Sequence, residues 1–152
     1  MTTIITDPLK DGYDFFITDK WEKEYHFKII TFDVPSGKLS IAVEDAEETD
    51  NYYPRKMEVL SDYDVDIEAA ELRLKAKVKN EINQKSLRMN DKGNFVVKDN
   101  SLQGVVLADW GMDISKPLFS VDGKKISAQQ LSRLLSPYCS FKFRLEIIDP
   151  NE

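Results

Sequence analysis

Histidine and cysteine are almost absent from this 152-residue sequence, which contains one of each. The single cysteine, Cys139, has no partner for a disulfide within the chain, so we expect a reducing, cytoplasmic setting. We interpret it as a buried, inert thiol, because no adjoining cation would stabilise its thiolate. The single histidine, His26, leaves no second imidazole for a histidine metal set, and a hydrolase triad would have to rest on His26 alone. We interpret it as a strand residue on the wetter face of a sheet.

Glycine and long apolar runs are scarce as well. The isolated glycines are typical of turns and exclude a glycine-rich phosphate-binding loop. No run of 18 apolar residues occurs, so we expect no membrane-spanning helix. The opening segment, Met1–Pro8, lacks the basic and apolar regions of a signal peptide.

Basic residues are outnumbered by acidic ones, 21 to 27, which gives a net charge of −6 and a pI near 4.9. Residues 1–71 hold 18 acidic and 7 basic residues, whereas residues 72–152 hold 9 and 14. Phosphate binding needs a clustered positive surface, so we expect a protein partner rather than nucleic acid or a membrane. The basic residues of the second half are the remaining argument for nucleic acid: Lys116, Lys124, Lys125, Arg133, Lys142 and Arg144.

One long helix is predicted at the centre of the chain, over about residues 64–87. Its apolar residues recur at spacings of three and four and form one stripe, and Asp64 or Asp66 can cap its first turn. A thinner stripe on the opposite side offers a surface for self-association. The first stripe comprises Ile67, Ala70, Leu74, Val78 and Ile82, and the second Val65, Ala69, Leu72 and Ala76.

The remaining elements are a short helix and several alternating strands. Ser127 and Gln130 form a capping box, which predicts a helix over about residues 127–136. Phe141–Ile147 alternates without interruption and predicts a final strand with one buried face. We therefore expect an α+β fold in a single domain over residues 1–152, with a mainly antiparallel twisted sheet packed against one long helix and one short helix.

The end of the chain resembles a set of small bacterial domains without assigned function. The resemblance lies in Phe119–Leu131 and Ser140–Asp149, where a strand, an Asp-Gly turn, a short helix and a phenylalanine-rich strand follow one another. It covers about a fifth of the chain and implies a bacterial setting and an α+β fold. It implies no active site.

Acidic residues offer two candidate sites. The triplet of Asp62, Asp64 and Asp66 resembles the start of a calcium loop, but Ile67 and Arg73 stand where glycine and a bidentate glutamate are needed. An acidic loop followed by aromatic residues is the better candidate, because tyrosine and tryptophan are common anchors of protein interfaces. Its alternative interpretation is a solvated charge run with aromatics folded back on their own domain. The predicted partner-binding residues are Glu44, Asp45, Glu47, Glu48, Asp50, Tyr52, Tyr53 and Trp110.

These observations favour a non-enzymatic, intracellular protein–protein interaction module. An acidic inhibitor fits them, such as an immunity protein or a phage-type antagonist of a defence complex, because acidic surfaces occlude basic grooves and speed association. We expect no catalytic residue, metal or cofactor. Two alternatives stay open: a small enzyme or accessory subunit with an unidentified carboxylate site, and a self-associating structural module.

Overall fold

The structure is a computed structural model, and it describes residues 12–107 and 118–149. Within these ranges there are two α-helices and nine strands, and every strand pair is antiparallel. The predicted α+β class is therefore confirmed. The strands are β1 (Tyr13–Thr18), β2 (Glu24–Val34), β3 (Gly37–Glu44), β4 (Lys56–Ser61), β5 (Leu87–Met89), β6 (Phe95–Val97), β7 (Val105–Leu107), β8 (Leu118–Val121) and β9 (Lys124–Ser127), and the helices are α1 (Ile67–Ile82) and α2 (Ala128–Leu135).

The predicted single sheet is wrong, because the strands form three sheets. Their orders are β1-β2-β3-β4, β5-β6 and β7-β8-β9. The described chain also clusters into two compact units where the sequence analysis expects one domain. Unit 1 takes in the chain up to Ala46, Pro54–Asn83 and the stretch from Ile147 onward, and unit 2 takes in Glu47–Tyr53 and Gln84–Glu146.

Unit 1 packs α1 against one face of its four-stranded sheet. Alternation along β2 places Tyr25, Phe27 and Ile29 on that face, where all three are buried. Leu74 and Val78 of the predicted helix stripe are completely buried against them, and Ala70 and Ile82 of the stripe are buried as well. Ile67, at the first position of α1, is 49% exposed, so its predicted place in the core is wrong. The core also contains Ala42, Met57, Val59 and Ile82.

The predicted arrangement of one long and one short helix is wrong, because α1 has 16 residues instead of the span of about 64–87 and α2 has 8. Asp66 is the N-cap, and its carboxylate accepts a hydrogen bond from the Glu68 amide at 3.4 Å. Asn83 ends the helix, because its side-chain amide donates to the Lys79 carbonyl at 2.8 Å. Beyond it, Leu87 pairs with Val97 as the start of β5, so the polar residues after Ile82 form a connection rather than another helical turn.

Unit 2 is built around the hairpin β8–β9. Its two-residue loop, Asp122–Gly123, has φ values of 54° and 82°, which an Asp-Gly pair adopts readily. The predicted capping box of α2 is confirmed: the Gln130 amide donates to Ser127 Oγ at 3.1 Å, and the Ser127 amide donates to Gln130 Oε1 at 2.8 Å. The buried hydrophobic cluster of this unit comprises Leu87, Val121 and Ile126, with Leu102, Phe119, Leu131 and Leu134 packed against them.

Two predictions for the end of the chain are wrong. Phe141–Ile147 forms no strand and has no buried face, and Cys139 is exposed. Apolar and charged residues do alternate along this segment, but a strand also needs hydrogen bonds to a neighbouring strand. No strand pairs with it in the part of the chain that is described. None of the helices in the described ranges is long and apolar enough to cross a membrane.

Candidate functional site

Glu44, the first acid of the predicted partner-binding loop, is an internal residue of unit 1. It lies opposite Phe27 at the end of β3, on the core side of the sheet, and is 6% exposed. Its Oε1 accepts a hydrogen bond from the Arg55 amide at 3.0 Å and lies 3.8 Å from the Arg55 guanidinium. That guanidinium sits 5.3 Å from the centre of the Tyr25 ring. The carboxylate therefore balances a cation within unit 1 and is closed to a partner.

Asp45 belongs to a charged cluster on the other face of the same sheet. His26 lies between two carboxylates, with Nε2 at 2.7 Å from Asp14 and Nδ1 at 3.2 Å from Asp45. Carboxylates only accept hydrogen bonds, so a protonated imidazole donates to both, whereas a neutral one donates to a single carboxylate. Phe16 stacks on the ring at 4.4 Å. Lys28, 2.6 Å from Asp14, and then His26 lower the pKa of the Asp14 carboxyl. The predicted place of His26 on the wetter face agrees with this arrangement.

The rest of the acidic loop, Glu47–Tyr53, lies in unit 2 along β9. The Tyr53 amide donates to the Gly123 carbonyl at 2.8 Å, and the Lys125 amide donates to the Asn51 carbonyl at 3.1 Å. Glu48 forms an ion pair with the Lys125 ammonium at 2.9 Å. Backbone pairing of this kind makes the segment an extension of the β8–β9 hairpin.

The predicted site residues are therefore divided between the two units. Tyr52 and Tyr53 are half-buried, while Glu47 and Asp50 are exposed. Trp110 lies outside the described residues. Their role in partner binding stays a prediction.

A polar cluster under α1 was missed by the sequence analysis. Glu71 accepts hydrogen bonds from the Tyr13 hydroxyl at 2.7 Å and from the Thr31 hydroxyl at 2.6 Å, one on each carboxylate oxygen. Thr31 also lies 2.8 Å from the Ser40 hydroxyl. Burial, followed by the Glu71 contact, raises the pKa of the Tyr13 hydroxyl well above its ordinary value. Chemically, the cluster ties helix to sheet. Its only signal in the sequence is an acid beside the buried helix stripe.

The described residues contain no group of three or more histidine, cysteine, aspartate or glutamate side chains placed to hold a metal ion. The His26 cluster also includes Lys28, whose ammonium forms an ion pair with Asp14 at 2.6 Å. The contacts in these two polar clusters join neighbouring strands to each other and join α1 to the sheet.

Among the described residues, the last segment carries the most exposed large apolar side chains. We call Phe141, Phe143, Leu145 and Ile147 the tail row; their exposed fractions are 67%, 89%, 77% and 84%. The intervening residues Lys142, Arg144 and Glu146 are charged and exposed. Soluble proteins rarely leave contiguous apolar patches of this kind uncovered unless they bind something. The alternation that predicts a strand also identifies this row, although the sequence placed it in a core.

Two family models match the chain. Residues 10–83 match a domain of unknown function, DUF7686, and residues 85–152 match another domain of unknown function, DUF7713. A search of curated proteins and a search of solved structures each find no significant match. The change from one family model to the other falls at the end of α1, where the structure passes from unit 1 to unit 2.

Proposed function

We propose that this protein is a non-enzymatic protein–protein interaction module that binds its partner through the tail row. The observation that supports the proposal is the exposure of four large apolar side chains in succession along Phe141–Ile147. Each of them alternates with a charged residue, so one side of the segment is apolar and the other is wet.

The size of the exposed surface favours a protein partner. Phe141 and Phe143 alone expose about 300 Å² between them, taking about 200 Å² for a full phenylalanine side chain. Leu145 and Ile147 add a similar amount. Covering this surface removes apolar area from water, which is the main favourable term in protein association. Immobilising these side chains on binding carries an entropic cost, so we expect affinity in the micromolar range.

The acidic character of unit 1 supports the finer proposal of an inhibitor. Counted along the sequence, unit 1 holds 18 acidic and 11 basic residues, a balance of −7, whereas unit 2 holds 9 and 10. An excess of one sign steers a partner of the opposite sign and raises the rate of association. An immunity protein or a phage-type antagonist in a bacterial cytoplasm is the setting we propose for it.

Quantitative capture from the cells of origin tests the tail row. The tagged full chain and the variant Phe143→Ser/Leu145→Ser would be compared by mass spectrometry of the proteins they retain. We expect the variant to retain at least about tenfold less of its specific partner, because two apolar anchors of the tail row are removed. Leu72→Ser is the matched control, because Leu72 is 67% exposed on α1, like Phe141, but lies outside the row. Equal capture by all three chains would refute the proposal.

The charge contribution is tested separately. Reversing Asp62 and Asp64 to lysine in the full chain changes exposed charges of unit 1, and reversing Glu47 and Asp50 changes exposed charges of the acidic loop, in each case without touching the buried Glu44. If the acidic surface steers the partner, the association rate falls severalfold at low salt and the difference shrinks at high salt. An unchanged rate at both salt concentrations would remove the steering role and leave the tail row unaffected.

A further inference from the structure

We propose that the outer edge of β9 is a binding site for an extended acidic segment of a protein partner, and that Glu47–Tyr53 occupies this edge within the chain. We call Glu47–Tyr53 the edge segment. The edge segment and β9 both belong to unit 2. The site uses no residue of the tail row, so it goes beyond the proposed function.

The edge segment pairs with β9 through its backbone and runs antiparallel to it. The Tyr53 amide donates to the Gly123 carbonyl at 2.8 Å, and the Lys125 amide donates to the Asn51 carbonyl at 3.1 Å. These two bonds follow the pattern of an antiparallel ladder. An extended peptide that adds a strand to an open sheet edge makes the same bonds. The structure therefore shows the edge of β9 with a peptide segment already seated on it.

Side chains give this edge a preference for negative charge. The Glu48 carboxylate forms an ion pair with the Lys125 ammonium at 2.9 Å, and the Lys125 side chain is only 16% exposed. Tyr52 lies opposite Lys124, so their side chains share one face of the ladder. The edge thus presents two adjacent lysines, which suit a segment that carries a carboxylate and an aromatic side chain.

The edge segment leaves part of the edge for a longer ligand. The amide and the carbonyl of one residue point to the same side of an antiparallel ladder, so the Lys125 carbonyl faces outward like its amide. In a continued ladder the Asn51 amide would reach this carbonyl. It donates instead to the Thr49 hydroxyl at 3.2 Å, where the segment turns. A partner segment that stays extended bonds both groups of Lys125 and competes on better terms.

The edge segment is held by contacts that open readily. The carboxylate of its ion pair is on a side chain that is 57% exposed, and ion pairs of this kind are screened by salt and stabilise little. Short segments with exposed backbone hydrogen bonds open at a small fraction of the global free energy of unfolding. The segment therefore covers an open sheet edge until a partner replaces it.

Hydrogen exchange of the unmodified full chain tests this opening. The Lys125 amide faces the edge segment, whereas the neighbouring Ile126 amide faces β8, so the two amides report on opposite edges of one strand. After correction for intrinsic rates, we expect Lys125 to exchange at least about a hundredfold faster than Ile126. Equal protection of the two amides would show that the edge opens only when unit 2 unfolds and would overturn the proposal.

A free peptide tests the site itself. The opened chain is the full chain with Glu48→Ser and Tyr53→Pro, which removes the carboxylate at Lys125 and the amide that donates to Gly123. The probe is a dye-labelled peptide with the sequence of residues 46–54. We expect the opened chain to bind it with a Kd of several hundred micromolar, measured by fluorescence anisotropy. The unmodified chain should bind it at least about tenfold more weakly, because its edge is occupied.

The control for the opened chain is Asp50→Ser, which removes an exposed acid of the same segment and should bind the peptide as weakly as the unmodified chain. Protection of the Ile126 amide verifies that the opened chain is folded. A folded opened chain that binds no peptide at about 5 mM would overturn the proposal. If the opened chain does not fold, the exchange experiment on the unmodified chain decides it.

A charge exchange tests the class of ligand. In the opened chain, Lys125→Glu should weaken peptide binding by about fivefold or more, because like charges then face each other. A peptide with lysine at the position of Glu48 should restore the Kd of this variant to within about threefold. Lys142→Glu removes an exposed cation outside the site and serves as the control. Peptide binding that ignores both exchanges would refute the preference for an acidic segment.

Discussion

Asp122 performs two tasks at one position of the chain. Its backbone occupies a positive φ of 54° in the β8–β9 loop, a conformation that aspartate and asparagine tolerate better than most residues. Its carboxylate accepts hydrogen bonds from the Ser86 amide at 3.0 Å and the Leu87 amide at 2.9 Å. Both donors belong to buried residues. The side chain thus fixes the start of β5 to the hairpin.

Replacing Asp122 tests this double role. Asp122→Ala leaves two buried amides without an acceptor, and we expect the free energy of unfolding to fall by about 2–4 kcal/mol. Asp122→Asn keeps the positive φ and one acceptor oxygen, so its loss should be about half as large. Urea unfolding of the three chains measures the difference. Equal stability of the alanine and asparagine variants would show that the acceptor contributes nothing.

The lowered pKa of Asp14 predicts how the stability of the fold changes with pH. Lys28 and His26 lower its pKa in the folded state, so the stabilisation is present above the ordinary value of 3.8 and is lost as pH falls through the folded pKa. Asp14→Asn should therefore lower the unfolding midpoint near pH 6, and this deficit should shrink as the pH falls below 3.8. Thermal unfolding of both chains across this range measures it. A variant deficit that grows on acidification would contradict the assignment.

Helix α1 provides a matched pair of leucines. Leu74 is completely buried in the unit 1 core, whereas Leu72 is 67% exposed. We expect Leu74→Ala to cost about 2–5 kcal/mol, through lost apolar burial and the cavity left behind. Leu72→Ala should change stability by less than about 0.5 kcal/mol. Chemical unfolding at micromolar concentration measures both costs.

The same pair tests the alternative of self-association through the thinner helix stripe. Leu72 is its largest residue, so self-association through that stripe would make the midpoint of the Leu72→Ala chain fall relative to wild type as protein concentration rises. A midpoint difference that is independent of concentration would exclude Leu72 from a dimer contact.

At the scale of elements, the sequence predicts what is local and misses what depends on distant edges. The core stripe of α1 and the capping box of α2 follow from spacings of three and four residues, and the structure contains both. The strand expected at Phe141–Ile147 shows the same local quality but has no paired edge in the described chain. Alternation reports that a segment can be a strand, whereas pairing depends on an edge elsewhere.

The candidate site follows the same rule. The acidic loop is evident as a run of charge, but its division between the units depends on contacts that no run of residues encodes. Glu44 faces inward because it lies opposite Phe27, and Glu48 meets Lys125, 77 residues away. The contacts of Glu71 with Tyr13 and Thr31 are equally remote in sequence. Sequence reasoning found the charges and could not pair them.

At the scale of the whole molecule, the described residues form two buried clusters, one in each unit. Apolar residues are spread evenly along the sequence, and no linker marks a boundary, so composition alone favours one domain. Each unit also takes a segment from the other's stretch of sequence, since Glu47–Tyr53 interrupts unit 1. Cooperativity between the units is therefore a property to be measured rather than read from the chain order.

Native-state hydrogen exchange of the Leu74→Ala chain measures that cooperativity. Leu74 packs only in the unit 1 cluster, so independent units would lose protection in β2 and β3 while β8 and β9 keep theirs. The reciprocal variant, Val121→Ala, removes a buried residue of the unit 2 cluster and should reverse the pattern. We expect this two-way selectivity, because the described members of each cluster all lie within one unit. A uniform loss of protection in both variants would instead establish a single cooperative domain over the whole chain.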